Sequence, residues 1–243
     1  MHKDEKQKIL DKAKDWFRDV IAPNHKSNIA KATSFSDHNV NPFLVSYLAG
    51  VVGGELTAES VAKALLYPRV LGTSITTSFG QNIQSFLTTL FETYGSTTMG
   101  IDIEFIDALD NRKKYCQLKL GPNTINKDDV ATIHGHFSAI RRLASTNSNT
   151  SIGFGDLVVG VMYGDEGSIS SHYRKLRDEH NYALYVGSDF WHRFTGDANF
   201  YHDLQRSITE VANEFNLHDE LREGVVRLAE DEEVKKLAGE RVE

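Results

Sequence analysis

Cysteine and long apolar runs are the two features that this sequence most clearly lacks. Cys116 is the single cysteine among 243 residues, so no internal disulfide can form. This excludes a disulfide-stapled scaffold and leads us to expect a cytoplasmic protein. No apolar run approaches the roughly 20 residues that span a bilayer, so we expect no membrane-spanning helix. Residues 1–6 lead into an amphipathic segment, which predicts no secretory signal.

An excess of positive charge is missing as well. The chain has 27 lysines and arginines against 34 aspartates and glutamates, a net charge of -7, which argues mildly against a nucleic-acid partner. Residues 219–243 hold nine acids and five bases, so this segment accounts for more than half of the net charge. The rest of the chain is close to neutral and can carry a locally basic surface, so net charge excludes no partner.

The length and the patterning predict one domain with helical additions. A chain without repeats or a low-complexity linker is long enough for a single domain over residues 1–243. Within it we expect a helical N-terminal region over residues 1–72, a core over residues 73–215 and a C-terminal helix over residues 216–243.

Proline and glycine mark the ends of the helices predicted in the N-terminal region. Apolar residues recur at helical spacing over residues 5–21, and we expect Pro23 to end that helix. A polar loop is expected over residues 24–40. An Asn-Pro start and a Gly-Gly stop predict a helix over residues 41–52, and a threonine cap predicts another over residues 57–68.

The spacing of apolar residues changes in the core region, from a helical period to alternation and short apolar runs. The expected elements are a hydroxyl-rich loop over 73–78, a helix over 79–91, strands over 100–107 and 114–120, a helix after Asn126 with Val130, Ile133, Phe137, Ile140 and Leu143 on its inner face, strands over 157–163 and 182–186, and helices over 190–194 and 201–215. This order predicts an α/β (mixed α+β) fold in which a central mixed sheet is flanked by helices, with helical additions at both ends.

Polar residues on two neighbouring predicted strands form the candidate site. Residues two apart share a face of a strand, so Asp102 and Glu104 point the same way, as do Gln117 and Lys119 on the next strand. Hard cations such as Mg²⁺ take oxygen ligands, which Asp102, the amide of Gln117 and the main-chain carbonyl of Leu118 can supply. A lysine beside a metal-bound water can orient or deprotonate that water, and it can stabilise charge on a phosphate.

The same pattern allows a plainer interpretation, in which these polar residues lie on an exposed hairpin face and meet only water. Their apolar neighbours argue against it. Asp102 and Glu104 interrupt an otherwise apolar strand, and Gln117 and Lys119 alternate with apolar residues. The spacing alone leaves both interpretations open.

Several ordered stretches resemble a known family. Ile101-Asp102 followed by Gln117-Leu118-Lys119 resembles the motif of PD-(D/E)XK nucleases. The matching stretches are residues 67–72, 100–105, 117–126, 158–164 and 190–192, within a span of about 41–215. Taken together, they make the chain similar to type II restriction endonucleases of the PmeII kind. The resemblance implies a restriction-endonuclease-like fold.

The resemblance also implies an activity, namely Mg²⁺-dependent hydrolysis of phosphodiester bonds in double-stranded DNA at a short palindromic site. It implies a homodimer, a cognate DNA methyltransferase gene as genetic neighbour, and a G·C-rich recognition site of the GGNCC type. It places Asp102 on the metal and Lys119 at the attacking water.

Gln117 departs from the family pattern, because an acid usually stands at this position. The missing charge would come from Glu104 on the same face or from Glu92 on the preceding helix, and both alternatives are open. Gln84 on that helix stands where related folds often carry another acid, which leaves the source of the second acid unassigned.

Basic, amide and hydroxyl side chains near the predicted site are candidates for DNA contacts. The candidates are Asn123, Asn126, Lys127, Arg141, Arg142, Thr76 and Thr77. Those other than Asn123 also have a plainer alternative. The basic residues would form a solvated helix face, Asn126 would cap a helix, and the threonines would belong to a helix-capping loop.

His134 and His136 resemble a metal-binding pair only in the linear sequence. Both lie in a predicted helix, where residues two apart point in different directions. We therefore expect no metal ion shared between them.

Other functions fit the same residues. A repair or recombination nuclease of the same fold would cut branched DNA instead of discrete sites. A non-catalytic DNA-binding module would bind DNA in Ca²⁺ without cleavage in Mg²⁺ or Mn²⁺, an outcome that Gln84 and Gln117 keep open. An unrelated α/β domain with a polar hairpin would show no DNA affinity at low salt.

Overall fold

A computed structural model describes residues 1–91, 95–146, 152–215 and 217–240. The chain divides into two compact units. The sheet unit comprises Met1–Lys14 and Gly80–Thr209, and the helical unit comprises Asp15–Phe79 and Glu210–Glu243. The prediction of a single domain stays a prediction.

The described residues form eleven α-helices and four strands. The elements, in chain order, are α1 (Lys3–Trp16), α2 (Ala22–Lys31), α3 (Pro42–Gly53), α4 (Ala58–Tyr67), α5 (Ile75–Phe91), β1 (Ile103–Ile106), β2 (Lys113–Lys119), α6 (Lys127–Thr146), β3 (Leu157–Val161), α7 (Ser171–Asp178), β4 (Ala183–Val186), α8 (Ser188–Thr195), α9 (Phe200–Glu214), α10 (Leu217–Ala229) and α11 (Glu232–Leu237). Across the described parts of the chain, no helix combines the length and the apolar character needed to cross a membrane.

The described strands form one mixed sheet in the order β1-β2-β3-β4. Strands β1 and β2 are an antiparallel hairpin, whereas β2, β3 and β4 run parallel to one another. Helix α6 connects β2 to β3 and helix α7 connects β3 to β4, as parallel neighbours require a crossover. The prediction of a mixed α/β fold with a sheet flanked by helices is confirmed.

Strand β3 is central, and every one of its residues is buried. A continuous apolar run suits this position because both faces of a parallel strand are covered. On one face, Val159 belongs to a core with Ile133 and Phe137 of α6. On the other face, Gly160 leaves no room for a side chain, since a Cβ there would press on Phe190 and Cys116. The sheet is thus enclosed between helices on its two faces.

The helical unit has a core of its own, built from α2, α3, α4, α10 and α11. Two of its helices begin at the residues that the sequence predicts. The side chain of Asn41 accepts hydrogen bonds from the main-chain N–H groups of Phe43 and Leu44. Thr57 and Ser60 form a reciprocal capping box at the start of α4.

The predicted helix end at Pro23 is wrong. Helix α1 continues through a π-helical segment, Phe17–Ile21, directly into α2. Pro23 stands in the first turn of α2, where a proline removes no required hydrogen bond, and the wider π-helical turn precedes it. The predicted loop over residues 24–40 is consequently a helix as far as Lys31.

The predicted loop over residues 73–78 is wrong for the same reason. Pro68 begins a π-helical segment, Pro68–Ser74, which runs on into α5. Thr76 and Thr77 are therefore exposed residues in the first turn of a helix, not part of a loop. The placement of Leu143 on the inner face of α6 is also wrong, since its side chain is largely exposed.

Candidate active site

The β1–β2 hairpin brings Asp102 next to Gln117. Ile103 pairs with Cys116, and Asp102 lies one residue before β1, so continuing the register places it opposite Gln117. The main-chain N–H of Asp102 donates to the carbonyl of Cys116 at 3.0 Å. Oδ2 of Asp102 accepts from the main-chain N–H of Leu118 at 2.6 Å. The hairpin therefore fixes both the backbone and the carboxylate of Asp102.

The carboxylate of Asp102 has less charge compensation than its burial requires. Burial raises its pKa, and this outweighs the lowering by the hydrogen bond from Leu118 and by the nearby Lys119 and His136. A carboxylate in this state is stabilised by an additional cation. The surroundings of Asp102 therefore leave its negative charge incompletely compensated.

Gln117 is buried beside Asp102 and is held through its amide nitrogen. Nε2 donates to the carbonyl oxygen of Gly100 and lies 2.7 Å from Nδ1 of His136 on α6. The side chain shares a face of β2 with Tyr115 and Lys119, the face that packs towards α6. This is why a residue of α6 reaches it.

Lys119 ends β2, so its ammonium lies at the carboxyl end of a strand in the parallel part of the sheet. Its Nζ is 3.5 Å from Oδ1 of Asp129. Asp129 lies in the first turn of α6, and its other oxygen, Oδ2, accepts from the main-chain N–H of Asn126 at 2.9 Å. The helix start thereby places an acid against Lys119.

Glu104 is engaged by partners of its own. Its carboxylate accepts hydrogen bonds of 2.6 Å from the hydroxyls of Ser96 and Thr98, and it pairs with Nζ of Lys113 at 2.6 Å. Burial raises the pKa of Glu104, but these three donors together lower it below its ordinary value. Among the alternatives for the second acid, Glu92 lies outside the described residues.

The side chain of Gln84 contacts the main chain of Asp102. Its Nε2 donates to the carbonyl oxygen of Asp102 at 3.1 Å. The side chain therefore supports the position of Asp102 without adding a charge.

The predicted DNA-contacting residues have varied surroundings. Asn126 caps α6, because its Oδ1 accepts from the main-chain N–H groups of Asp128 and Asp129. The guanidinium of Arg141 lies 3.6 Å over the ring of Phe154. The side chains of Asn123, Lys127 and Arg142 in the sheet unit, and of Thr76 and Thr77 in the helical unit, are exposed. A DNA contact stays a prediction for each of the seven.

Sequence reasoning missed two residues of the site, Asp129 and His136. The signal for Asp129 is its place three residues after the cap Asn126, where a capping-box acid stands. The signal for His136 is helical spacing, since it neighbours the buried residues Ile133 and Phe137 on α6. His134 faces elsewhere and stacks on His180, as expected for residues two apart in a helix.

The donors at this site have the chemistry of a hard-cation site. The available ligands are the Asp102 carboxylate, the Gln117 amide oxygen and main-chain carbonyls such as that of Leu118, and Mg²⁺ accepts few protein oxygens together with waters. Within the four described ranges, no three histidine, cysteine, aspartate or glutamate side chains converge as a group that could hold a metal ion. A metal here would thus rest on one carboxylate and neutral oxygens.

Comparison with known proteins identifies the family. The model of the family described as type II restriction endonuclease EcoO109I matches residues 16–216, most of the chain. The chain belongs to this family. Among curated proteins, no individual sequence matches it. The match includes Asp102, Gln117 and Lys119, and it confirms the resemblance to type II restriction endonucleases, while the PmeII kind stays a prediction.

As a member of a restriction endonuclease family, the protein is a DNA-cleaving hydrolase, and its substrate is double-stranded DNA. This family membership agrees with the fold, in which a mixed sheet carries the candidate residues on its β1–β2 hairpin. The alternative that the chain is an unrelated α/β domain with a polar hairpin is therefore wrong.

Proposed function

We propose that this restriction endonuclease uses Mg²⁺ at Asp102 to hydrolyse DNA at a short palindromic site. The observation that carries the proposal is the carboxylate of Asp102, which is half-buried, anchored by Leu118 and left with a raised pKa despite the nearby Lys119. Such a group favours binding a cation. Asp102, the amide oxygen of Gln117 and the carbonyl of Leu118 would hold the metal.

When bound, Mg²⁺ supplies Lewis-acid stabilisation of the phosphate and lowers the pKa of a bound water. Lys119 orients or deprotonates the attacking water and offers its positive charge to the phosphate. Asp129 keeps the ammonium of Lys119 at the end of β2. In-line attack on the phosphorus then leaves 5′-phosphate and 3′-hydroxyl ends.

The proposal treats Gln117 as a neutral ligand in place of the usual acid. Glu104 is the alternative source of the second charge, and to reach the metal it would have to leave Ser96, Thr98 and Lys113. The lowered pKa of Glu104 reflects those contacts, so we propose Gln117 as the metal ligand ahead of Glu104.

Cleavage of plasmid DNA tests the proposed activity. We expect discrete fragments in Mg²⁺, no cleavage in EDTA, and one short palindrome at every end when the fragment ends are sequenced. Cutting confined to branched DNA would instead indicate a repair or recombination nuclease. Binding in Ca²⁺ without cleavage in Mg²⁺ or Mn²⁺ would indicate a non-catalytic module and would overturn the proposal.

We further propose that the protein acts as a homodimer, so that each subunit cuts one strand of the palindrome. The feature that supports a dimer is the outer face of α3. It exposes six large apolar side chains, Phe43, Leu44, Tyr47, Leu48, Val51 and Val52. Residues 42–53 contain no charge, so a second copy related by a twofold axis can pack against this face without placing like charges together.

A charge at the centre of this face is expected to separate the subunits. Tyr47→Glu would bury a carboxylate in the contact, and we expect it to weaken the dimer at least about tenfold. Sedimentation velocity over a concentration series measures the effect. Val226→Glu is the matched control, since Val226 is an exposed apolar residue on another helix of the same unit. A dimer as tight in Tyr47→Glu as in Val226→Glu would exclude α3 as the contact.

The remaining proposals concern DNA recognition. Asn123, Asn126, Lys127, Arg141, Arg142, Thr76 and Thr77 are the proposed DNA-contacting residues. Contacts of the basic residues to phosphates would weaken as salt rises, whereas contacts to bases would discriminate sequence. A G·C-rich recognition site and a neighbouring methyltransferase gene are proposed with them.

A further inference from the structure

The amide of Gln117 is held in one orientation by two acceptors. Its Nε2 donates to the carbonyl oxygen of Gly100. A carbonyl oxygen can only accept a hydrogen bond, so the amide nitrogen, not the amide oxygen, must face Gly100. The second Nε2 hydrogen points to Nδ1 of His136, which lies 2.7 Å away and accepts it.

This arrangement defines the position of the amide oxygen. Because both hydrogens of Nε2 are directed to Gly100 and His136, Oε1 lies on the opposite branch of the Gln117 side chain. Turning the amide over would set Oε1 against the carbonyl oxygen of Gly100, and two acceptors have no hydrogen to share. With Nδ1 as the acceptor of this contact, the ring proton of His136 lies on Nε2.

The ring of His136 is seated directly against the backbone of Gly100. Gly100 has a left-handed backbone with φ of 76°, and a Cβ built on it would overlap the imidazole ring. Neighbouring α6 residues Ile133 and Phe137 are buried in the core of the sheet unit, which anchors the helix at this level. Gly100, Gln117 and His136 thus form a packed cradle beside Asp102.

An amide needs such a cradle, whereas a carboxylate does not. The two oxygens of a carboxylate are equivalent, so either can face a cation. An amide has one oxygen, and a half-turn of its terminal group replaces that oxygen with a donor that repels a cation. The replacement of the usual acid by Gln117 therefore creates a requirement for an orienting partner.

We propose that His136 is a positioning residue that orients the amide of Gln117 so that its oxygen serves the metal site. This inference rests on the proposed metal site at Asp102 and adds the residue that makes a neutral ligand usable there. His136 acts through Gln117 and does not itself touch the metal or the DNA.

A double-mutant cycle tests this role through metal affinity. Mn²⁺ is titrated into the full-length protein without DNA, and unbound Mn²⁺ is measured by electron paramagnetic resonance. We expect His136→Leu to weaken Mn²⁺ binding by about tenfold or more, as losses of groups that orient ligands do. In the Gln117→Glu background the same change should alter affinity less than about twofold, because a carboxylate needs no orientation.

A conservative variant separates orientation from packing. His136→Asn retains an acceptor near the position of Nδ1, and we expect it to restore most of the affinity lost in His136→Leu. NMR of isotopically labelled histidine gives a reading that requires no metal. We expect Nδ1 of His136 to be unprotonated in the wild-type protein.

The outcomes distinguish this inference from the proposed function. Equal losses of affinity in the Gln117 and Gln117→Glu backgrounds, or unchanged affinity in His136→Leu, would overturn the orienting role alone. A protonated Nδ1 would do the same, since it could not accept from Gln117. Failure of the wild-type protein to bind Mn²⁺ would overturn the metal site itself, and the orienting role with it.

Discussion

Replacing Lys119 with alanine is expected to abolish cleavage while leaving the fold intact. Lys119 ends β2 with its ammonium near the carboxylate of Asp102, where it can activate water and meet the charge of the phosphate. Groups in these roles contribute about 10²–10⁴-fold to rate, so the loss should remove visible cleavage from a digest. Single-turnover cleavage rates and thermal unfolding of Lys119→Ala measure the two effects.

Lys175→Ala is the matched control for this experiment. Both lysines belong to the sheet unit, and each pairs with one acid, Lys119 with Asp129 at 3.5 Å and Lys175 with Glu179 at 3.6 Å. An exposed pair within one helix contributes little to stability, so Lys175→Ala should leave the fold and the cleavage rate unchanged. Full activity of Lys119→Ala would contradict the proposed mechanism.

Replacing Asp102 with asparagine is expected to remove activity without a cost in stability. The pKa of Asp102 is raised by burial, so its charged form lowers the stability of the folded state above the ordinary carboxyl pKa. This destabilisation disappears as the pH falls and Asp102 becomes protonated in the folded state. Asparagine has no charge to bury and can still accept from Leu118, so the unfolding free energy at neutral pH should stay equal or rise.

The loss of activity in Asp102→Asn is expected because the substitution removes the charge of the proposed metal ligand. A metal contributes several kcal/mol to the transition state, and about 1.4 kcal/mol corresponds to tenfold in rate, so we expect a loss of about 10³-fold or more. Single-turnover rates in Mg²⁺ and Mn²⁺ measure it. Near-normal cleavage by Asp102→Asn would remove Asp102 from the mechanism.

Asp156→Asn is the control, because we expect this substitution to lower the free energy of unfolding. Hydrogen bonds from Arg112 lower the pKa of Asp156, and buried Lys114 lies 3.4 Å away. The charge of Asp156 therefore stabilises the fold at pH values above the ordinary carboxyl pKa. This stabilisation is lost as the pH falls through the lowered pKa of Asp156 in the folded state. We expect Asp156→Asn to lower the free energy of unfolding by about 1–3 kcal/mol at neutral pH, with the difference narrowing in acid. A destabilised Asp102→Asn would mean that Asp102 is structural, as Asp156 is.

The sheet was predictable because its signals are local. The apolar run of β3 has the length of a strand and the composition of a buried parallel one. Polar and apolar residues alternate in β1 and β2, which predicts the face of the strand on which each side chain lies. The short connection between the two strands predicts an antiparallel hairpin. Each of these signals is contained within a few residues, so packing elsewhere does not override it.

The helix boundaries at Pro23 and Pro68 could not be predicted from local rules. A proline ends a helix where its missing N–H and its ring disturb an established turn. In this protein Pro23 follows a π-helical segment and Pro68 begins one, and both stand in the first turn of the following helical segment. Whether a chain bends or continues there depends on what the helix packs against.

Asp102, Gln117 and Lys119 could be grouped from the sequence alone, because they belong to one hairpin in which alternation sets the direction of each side chain. The partners of these residues, in contrast, follow from the packing of the helices on the sheet. Asp129 and His136 reach it from α6, which the crossover to β3 lays along the sheet. The contacts between strand and helix depend on packing, and the raised pKa of Asp102 depends on burial. The spacing of residues along the sequence predicts neither the packing nor the burial.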